Sequence, residues 1–121
     1  MARILIVDDD PRVRSVLRRM LAREGHEVLE EDNGARALAR LVELAPDVVV
    51  SDIYMPEMDG IEFLIQLGDA APDIPVIAIS GGGPSGGTHI LKDAEELGAC
   101  ATLAKPFTYD EIHEVLGRVL T

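Results

Sequence analysis

A doubly wound α/β fold, one parallel sheet with helices on both faces, is the fold class this sequence predicts, and three observations carry it. Residues 4–7, 48–50 and 76–79 are apolar runs of strand length without polar alternation, as in strands buried on both faces. Between such runs, apolar residues recur at helical spacing. The two kinds of segment alternate from end to end, with no linker and no internal repeat, and this alternation implies parallel strands joined by crossover helices.

Residues 4–7 form the first strand and run into Asp8-Asp9-Asp10. Pro11 suits the first turn of a helix and Asp10 its N-cap. Val13, Val16, Leu17, Met20 and Leu21 follow at helical spacing, and Gly25 closes the helix. The other face carries Arg12, Arg14, Arg18, Arg19 and Arg23, the one basic cluster of the chain, open to reading as solvated surface or as a docking face. Val28 and Leu29 lie in a short, polar-flanked second strand expected near the sheet edge. Asn33-Gly34 opens a helix through Leu38, Leu41 and Val42, and Pro46 stops it. The third strand, 48–52, ends on Asp52 and is followed by the turn-like residues 54–60. Ile61, Leu64 and Ile65 then give a short helix ending near Gly68.

Pro72 and Pro75 frame the return to the fourth strand, 76–80. Residues 81–87 hold five glycines, readable as a hinge or as surface slack. Thr88 caps a helix with Ile90, Leu91, Ala94 and Leu97 on its apolar side and Gly98 at its end. Residues 101–104 form the fifth strand and close on Lys105-Pro106. Thr108 and Glu111 make a capping box for a last helix whose period is Ile112, Val115, Leu116, Val119 and Leu120. The expectation is one domain over 1–121, with five strands in the order 2-1-3-4-5 and five helices.

The 121 residues suffice for one domain with a hydrophobic core. Tyr54, Tyr109, Phe63 and Phe107 are the only aromatics, so the core must be aliphatic and stacking platforms for single-stranded nucleic acid are missing. A formal net charge of -11 disfavours direct binding to nucleic acid or to an anionic membrane. Residues 1–40 balance eight Arg against eight Asp and Glu; residues 41–121 set three Lys and Arg against fourteen acids. Cys100 is alone, which excludes a disulfide within the chain, and no run approaches membrane-spanning length. The N-terminus has no signal-peptide pattern, so a cytoplasmic protein is expected.

The chemistry falls at strand ends. Asp8 and Asp9 follow the first strand, Asp52 ends the third, Ser80 the fourth, and Lys105 follows the fifth. In an open α/β sheet these ends border one crevice. Clustered carboxylates repel, and Mg²⁺ is the natural remedy because it takes oxygen ligands. A lysine and a hydroxyl suit an anion, so the site is expected to hold a phosphoryl group on or near Asp52, which can itself be the nucleophile. Singly, Asp10 reads as a helix cap, Ser80 as a strand-end hydroxyl and Lys105-Pro106 as an ordinary dipeptide. Gly81, Gly83 and Gly86 fit a dinucleotide fingerprint but lack its first βαβ context, and Thr88 stands where a P-loop needs Lys. His26, His89 and His113 are scattered, which argues against a histidine metal site.

Ile4-Leu5-Ile6-Val7-Asp8-Asp9-Asp10, residues 52–60, Ser80 and Lys105-Pro106-Phe107 together resemble the receiver domain of two-component response regulators, over essentially the whole chain. The resemblance implies a flavodoxin-like fold of the chemotaxis single-domain type and a phosphorelay function. It implies Asp52 as phosphoacceptor. It also implies Asp9, Asp52 and the Tyr54 carbonyl as Mg²⁺ ligands, with Asp8 acting through water, and Ser80 and Lys105 on the phosphoryl oxygens. Lys105-Pro106 as a cis peptide belongs to the same resemblance. The implied partners are a histidine kinase or histidine phosphotransfer protein and a downstream effector or missing output domain, with homodimerisation through the last two helices open to the class. Thr102 departs from the family, which commonly has an aromatic residue there, and bulky Tyr54 either shields the phosphorylation site or packs at its rim. Two other functions stay open. One is a receiver-like module that needs no phosphate; the other is a Mg²⁺-dependent aspartyl-phosphate phosphatase, against which Tyr54 stands where a general acid is required.

Overall fold

The computed structural model describes residues 2–53, 60–80, 98–105 and 107–120, with backbone alone at Ile61 and Ser80. Five parallel strands, β1 (Arg3–Val7), β2 (Glu27–Glu31), β3 (Val48–Asp52), β4 (Val76–Ser80) and β5 (Ala101–Ala104), form one sheet in the order β2-β1-β3-β4-β5. The helices described are α1 (Pro11–Ala22), α2 (Gly34–Ala39), α3 (Leu41–Leu44), α4 (Gly60–Ala70) and α5 (Tyr109–Val119). The helix expected from Thr88 and the glycines of 81–87 lie outside the described residues.

Strand pleating sends neighbouring side chains to opposite faces, and each face has its own core. Leu5, Val7, Val49, Val76 and Ala78 pack with Ala37, Leu41 and Leu44 and with Phe63, Leu64 and Leu67 of α4. Ile4, Ile6, Val48, Val50, Ile77, Ile79 and Leu103 pack with Leu17 and Leu21 of α1 and Ile112, Val115 and Leu116 of α5. Strands covered on both faces need continuous apolar runs, which is why β1, β3 and β4 are so plain in the sequence.

The caps at Asp10 and Thr108 form as expected. Asp10 accepts the Arg12 N–H at 2.9 Å, and Thr108 and Glu111 complete a reciprocal capping box on α5. Three helix faces differ from expectation. The helix after Asn33 breaks at Arg40, and its core stripe is Ala37, Leu41 and Leu44 at i, i+4, i+7, which leaves Val42 on the outer side and 94% exposed. In α4 the inward residues are Phe63, Leu64 and Leu67, so Ile65 is 45% exposed, and an all-aliphatic core is corrected by one aromatic. In α1, Val16 likewise faces out.

The helix expected to end near Gly68 ends at Ala70, which leaves Gly68 inside α4, where a Cβ would meet nothing within 4 Å. Gly68→Ala is therefore expected to raise stability by about 0.5–1 kcal/mol, read as a higher urea midpoint at unchanged slope.

Candidate functional site

Strand register builds the site. Val7 pairs with Ser51, so Asp8, one residue past β1, stands level with Asp52 at the end of β3. Asp52 pairs with Ile79, and Ser80 with Ala104, so the next residues along are Ser80 on β4 and Lys105 just beyond β5. Four strand ends thus meet along the carboxyl edge of the sheet, where the strand order reverses beside β1.

Asp52 is 6% exposed and Asp8 1%, whereas Asp9 is exposed. Lys105 Nζ donates to Asp52 Oδ2 at 2.8 Å and to Asp8 Oδ2 at 3.4 Å, bridging the two buried carboxylates. The Asp10 N–H donates to Asp8 Oδ1 at 2.9 Å. Burial raises the Asp8 carboxyl to about 6; the Asp10 N–H opposes this, the Asp52 charge adds to it, and Lys105 offsets part. Burial pulls the Lys105 ammonium down, but its bond and charge pairing with Asp52, helped by Asp8, outweigh burial and leave it raised.

A carboxyl whose folded pKa lies above its unfolded value binds its proton more tightly in the folded state, so the stability it contributes is lost as pH rises. For Asp8 the window runs from about 4, the ordinary range, to about 6. In metal-free protein, urea unfolding at steps between these values should show wild-type stability falling relative to Asp8→Asn. Parallel curves would show that Asp8 titrates normally.

One carboxylate oxygen each from Asp8, Asp9 and Asp52 lie within 4.8 Å of one another. Three hard oxygen donors, two of them buried beside Lys105, fit a hard divalent cation such as Mg²⁺. Of the residues expected from sequence, the fold brings together Asp8, Asp9, Asp52 and Lys105. The backbone of Ser80 is in place on β4, while its side chain, Tyr54 and Pro106 lie outside the described residues.

Sequence reading missed a second polar cluster. His26 and His113 both face Glu24: His113 Nδ1 pairs with Oε1, His26 Nε2 lies 3.7 Å from Oε2, and the Tyr109 hydroxyl donates to Oε1 at 2.8 Å. The Ala2 N–H donates to His26 Nδ1 at 3.0 Å, so neutral His26 carries its proton on Nε2 and offers no free lone pair to a metal. No local motif announces this cluster, because its members are separated by up to 89 residues.

Residues 4–117 match the Response regulator receiver domain family. Sporulation initiation phosphotransferase F of Bacillus subtilis is 35% identical over 98% of this chain and 93% of its own length. Chemotaxis protein CheY of the same organism is 37% identical over 98% of this chain and 97% of its own. Among solved structures, NtrX from Brucella abortus superposes with a TM-score of 0.91 at 33% identity, covering 98% of this chain and 27% of that one. The chain thus spans nearly all of two relatives and about a quarter of the third.

Proposed function

Because this chain belongs to the response regulator receiver domain family of two-component signalling, we propose that Asp52 is its phosphoacceptor and that a histidine kinase or histidine phosphotransfer protein is its donor. The observation that carries this reading is the buried Asp52 carboxylate paired with Lys105 at 2.8 Å, beside Asp8 and Asp9.

An oxygen of Asp52 is the nucleophile that takes the phosphoryl group from the donor imidazole. Lys105, already held against Asp52 Oδ2, stays with the group as it arrives and neutralises its oxygens. The Ser80 hydroxyl is assigned a hydrogen bond to the same oxygens. Asp8, Asp9 and Asp52, with the Tyr54 carbonyl, would hold Mg²⁺, which would supply further positive charge to the phosphoryl oxygens. Burial of Asp52 limits the access of water to the acyl phosphate once formed.

We read the chain as a signalling module that carries one phosphoryl group per molecule, not as an enzyme that turns over a substrate. Its output passes to a downstream effector protein or to an output domain, as the length of NtrX suggests. A cytoplasmic setting fits this chemistry, and among the described residues no helix is long and apolar enough to cross a membrane.

The test is intact-protein mass spectrometry after exposure to acetyl phosphate with and without Mg²⁺. One phosphoryl adduct per chain, dependent on Mg²⁺ and mapped to Asp52, is expected. No adduct, or one on another residue, would overturn the assignment.

A further inference from the structure

Arg14 sits on the basic side of α1, but its side chain turns inward and is only 19% exposed. Its Nη1 donates to the Asp8 carbonyl at 2.6 Å and its Nε to Glu30 Oε1 at 3.3 Å. Glu30 accepts Arg18 Nη1 on its other oxygen at 2.6 Å. Of the arginines on that side, Arg14 is therefore the one joined to the backbone of the acidic pocket, and it is braced from β2 as it reaches there.

The position of that carbonyl gives the contact its weight. The last β1–β3 pair is Val7 with Ser51, so the Asp8 carbonyl lies one residue past the point where the ladder orients β1 against β3. It is one end of the planar Asp8-Asp9 peptide. Displacing that peptide as a unit would carry the Asp9 Cα, and the carboxylate with it, relative to Asp8 and Asp52. Asp9 is exposed, and its carboxylate converges with the other two acids from the backbone that the Asp8-Asp9 peptide positions.

We propose that Arg14 is a positioning residue for the acidic pocket: by gripping the Asp8 carbonyl while braced on Glu30, it keeps the Asp9 carboxylate converged on Asp8 and Asp52 for a divalent cation. The inference rests on the reading of this pocket as a Mg²⁺ site. Arg14 acts through the backbone and does not itself neutralise the carboxylates. Groups that orient metal ligands in this way typically change affinity by 10–100-fold when removed. Lysine can supply a donor to the carbonyl but cannot also fork onto Glu30, so it should restore the grip in part.

The experiment compares the full chain with Arg14→Ala, Arg14→Lys and Arg18→Ala. Arg18→Ala removes the same charge from the same glutamate without touching the Asp8 carbonyl. Mg²⁺ is titrated and followed by amide NMR shifts, and the Asp8 ¹³C carbonyl resonance is recorded in metal-free protein. Arg14→Ala is expected to bind Mg²⁺ about tenfold more weakly and to shift the Asp8 carbonyl resonance before any metal is added. Arg14→Lys should recover part of the affinity, and Arg18→Ala should match wild type. Equal affinity in Arg14→Ala and wild type, an unmoved carbonyl resonance, or an equal loss in Arg18→Ala would overturn the proposal. Should Arg14→Ala fail to fold, Arg14→Lys and Glu30→Gln carry the same test, each expected to weaken Mg²⁺ binding by a smaller factor; unchanged affinity in both would overturn it. Wild type that binds Mg²⁺ but takes no phosphoryl group would overturn the phosphoacceptor reading alone, while wild type that binds no Mg²⁺ would end both.

Discussion

Asp52→Asn is expected to leave the protein at its unmodified mass after acetyl phosphate and Mg²⁺, under conditions where wild type gains one phosphoryl group. The amide has nearly the shape of the carboxylate but is a poor nucleophile, so a fall in labelling rate of at least about 10³-fold follows from losing the attacking oxygen. The fold should not suffer. The asparagine oxygen can still accept from Lys105, and Asp8 loses the neighbouring charge that helps to raise its pKa. The variant should therefore unfold in urea at or above the wild-type midpoint, and its Asp8 carboxyl should titrate lower. A labelled Asp52→Asn protein would mean that the acceptor is elsewhere; an unlabelled but unfolded one would be exposed by the denaturation curve.

The largest loss of stability is expected at Phe63. It is among the largest fully buried side chains and packs with Leu64 and Leu67 against the sheet face formed by Leu5, Val7, Val49, Val76 and Ala78. Phe63→Ala removes the ring's transfer free energy and leaves a cavity, together about 3–5 kcal/mol. That is a large part of the roughly 5–15 kcal/mol that holds an ordinary domain together. Ile65→Ala, two residues away on the outer side of the same helix, should cost under about 1 kcal/mol because its side chain is half in water already. Urea unfolding of the two variants checks both. Similar losses at the two positions would show that α4 does not pack on the sheet through Phe63.

These two residues also mark what sequence can and cannot reveal. Asp52 was legible because β3 is apolar on both faces and the carboxylate breaks that run at its end. The bounds of β3 and β4 follow from plain apolar runs, and the caps at Asp10 and Thr108 depend on neighbours two or three residues away. Phe63, Val42 and Val16 were misjudged because a helical period offers several overlapping stripes, and only the position of the sheet decides which stripe turns inward. The bond from Arg14 to the Asp8 carbonyl was hidden by its company, since one arginine among five on a helix side gives no local sign that it points elsewhere. The Glu24 cluster joins α5 to the end of α1 across most of the chain's length, a separation at which residue spacing carries no information.

The arginines that meet β2 have a bearing on solubility. β2 lies at the margin of the sheet, where unpaired backbone groups invite another chain to add a strand. Its Glu27 is tied to Arg3, its Glu30 to Arg14 and Arg18, and its Glu31 to Arg40, so three of its five side chains are charged and each is anchored to a different element. A strand arriving from a second molecule would have to strip water from these ions or loosen their partners before its own backbone bonds could form. At the high concentrations where sheet proteins tend to polymerise edge to edge, these anchored charges guard the border against such growth.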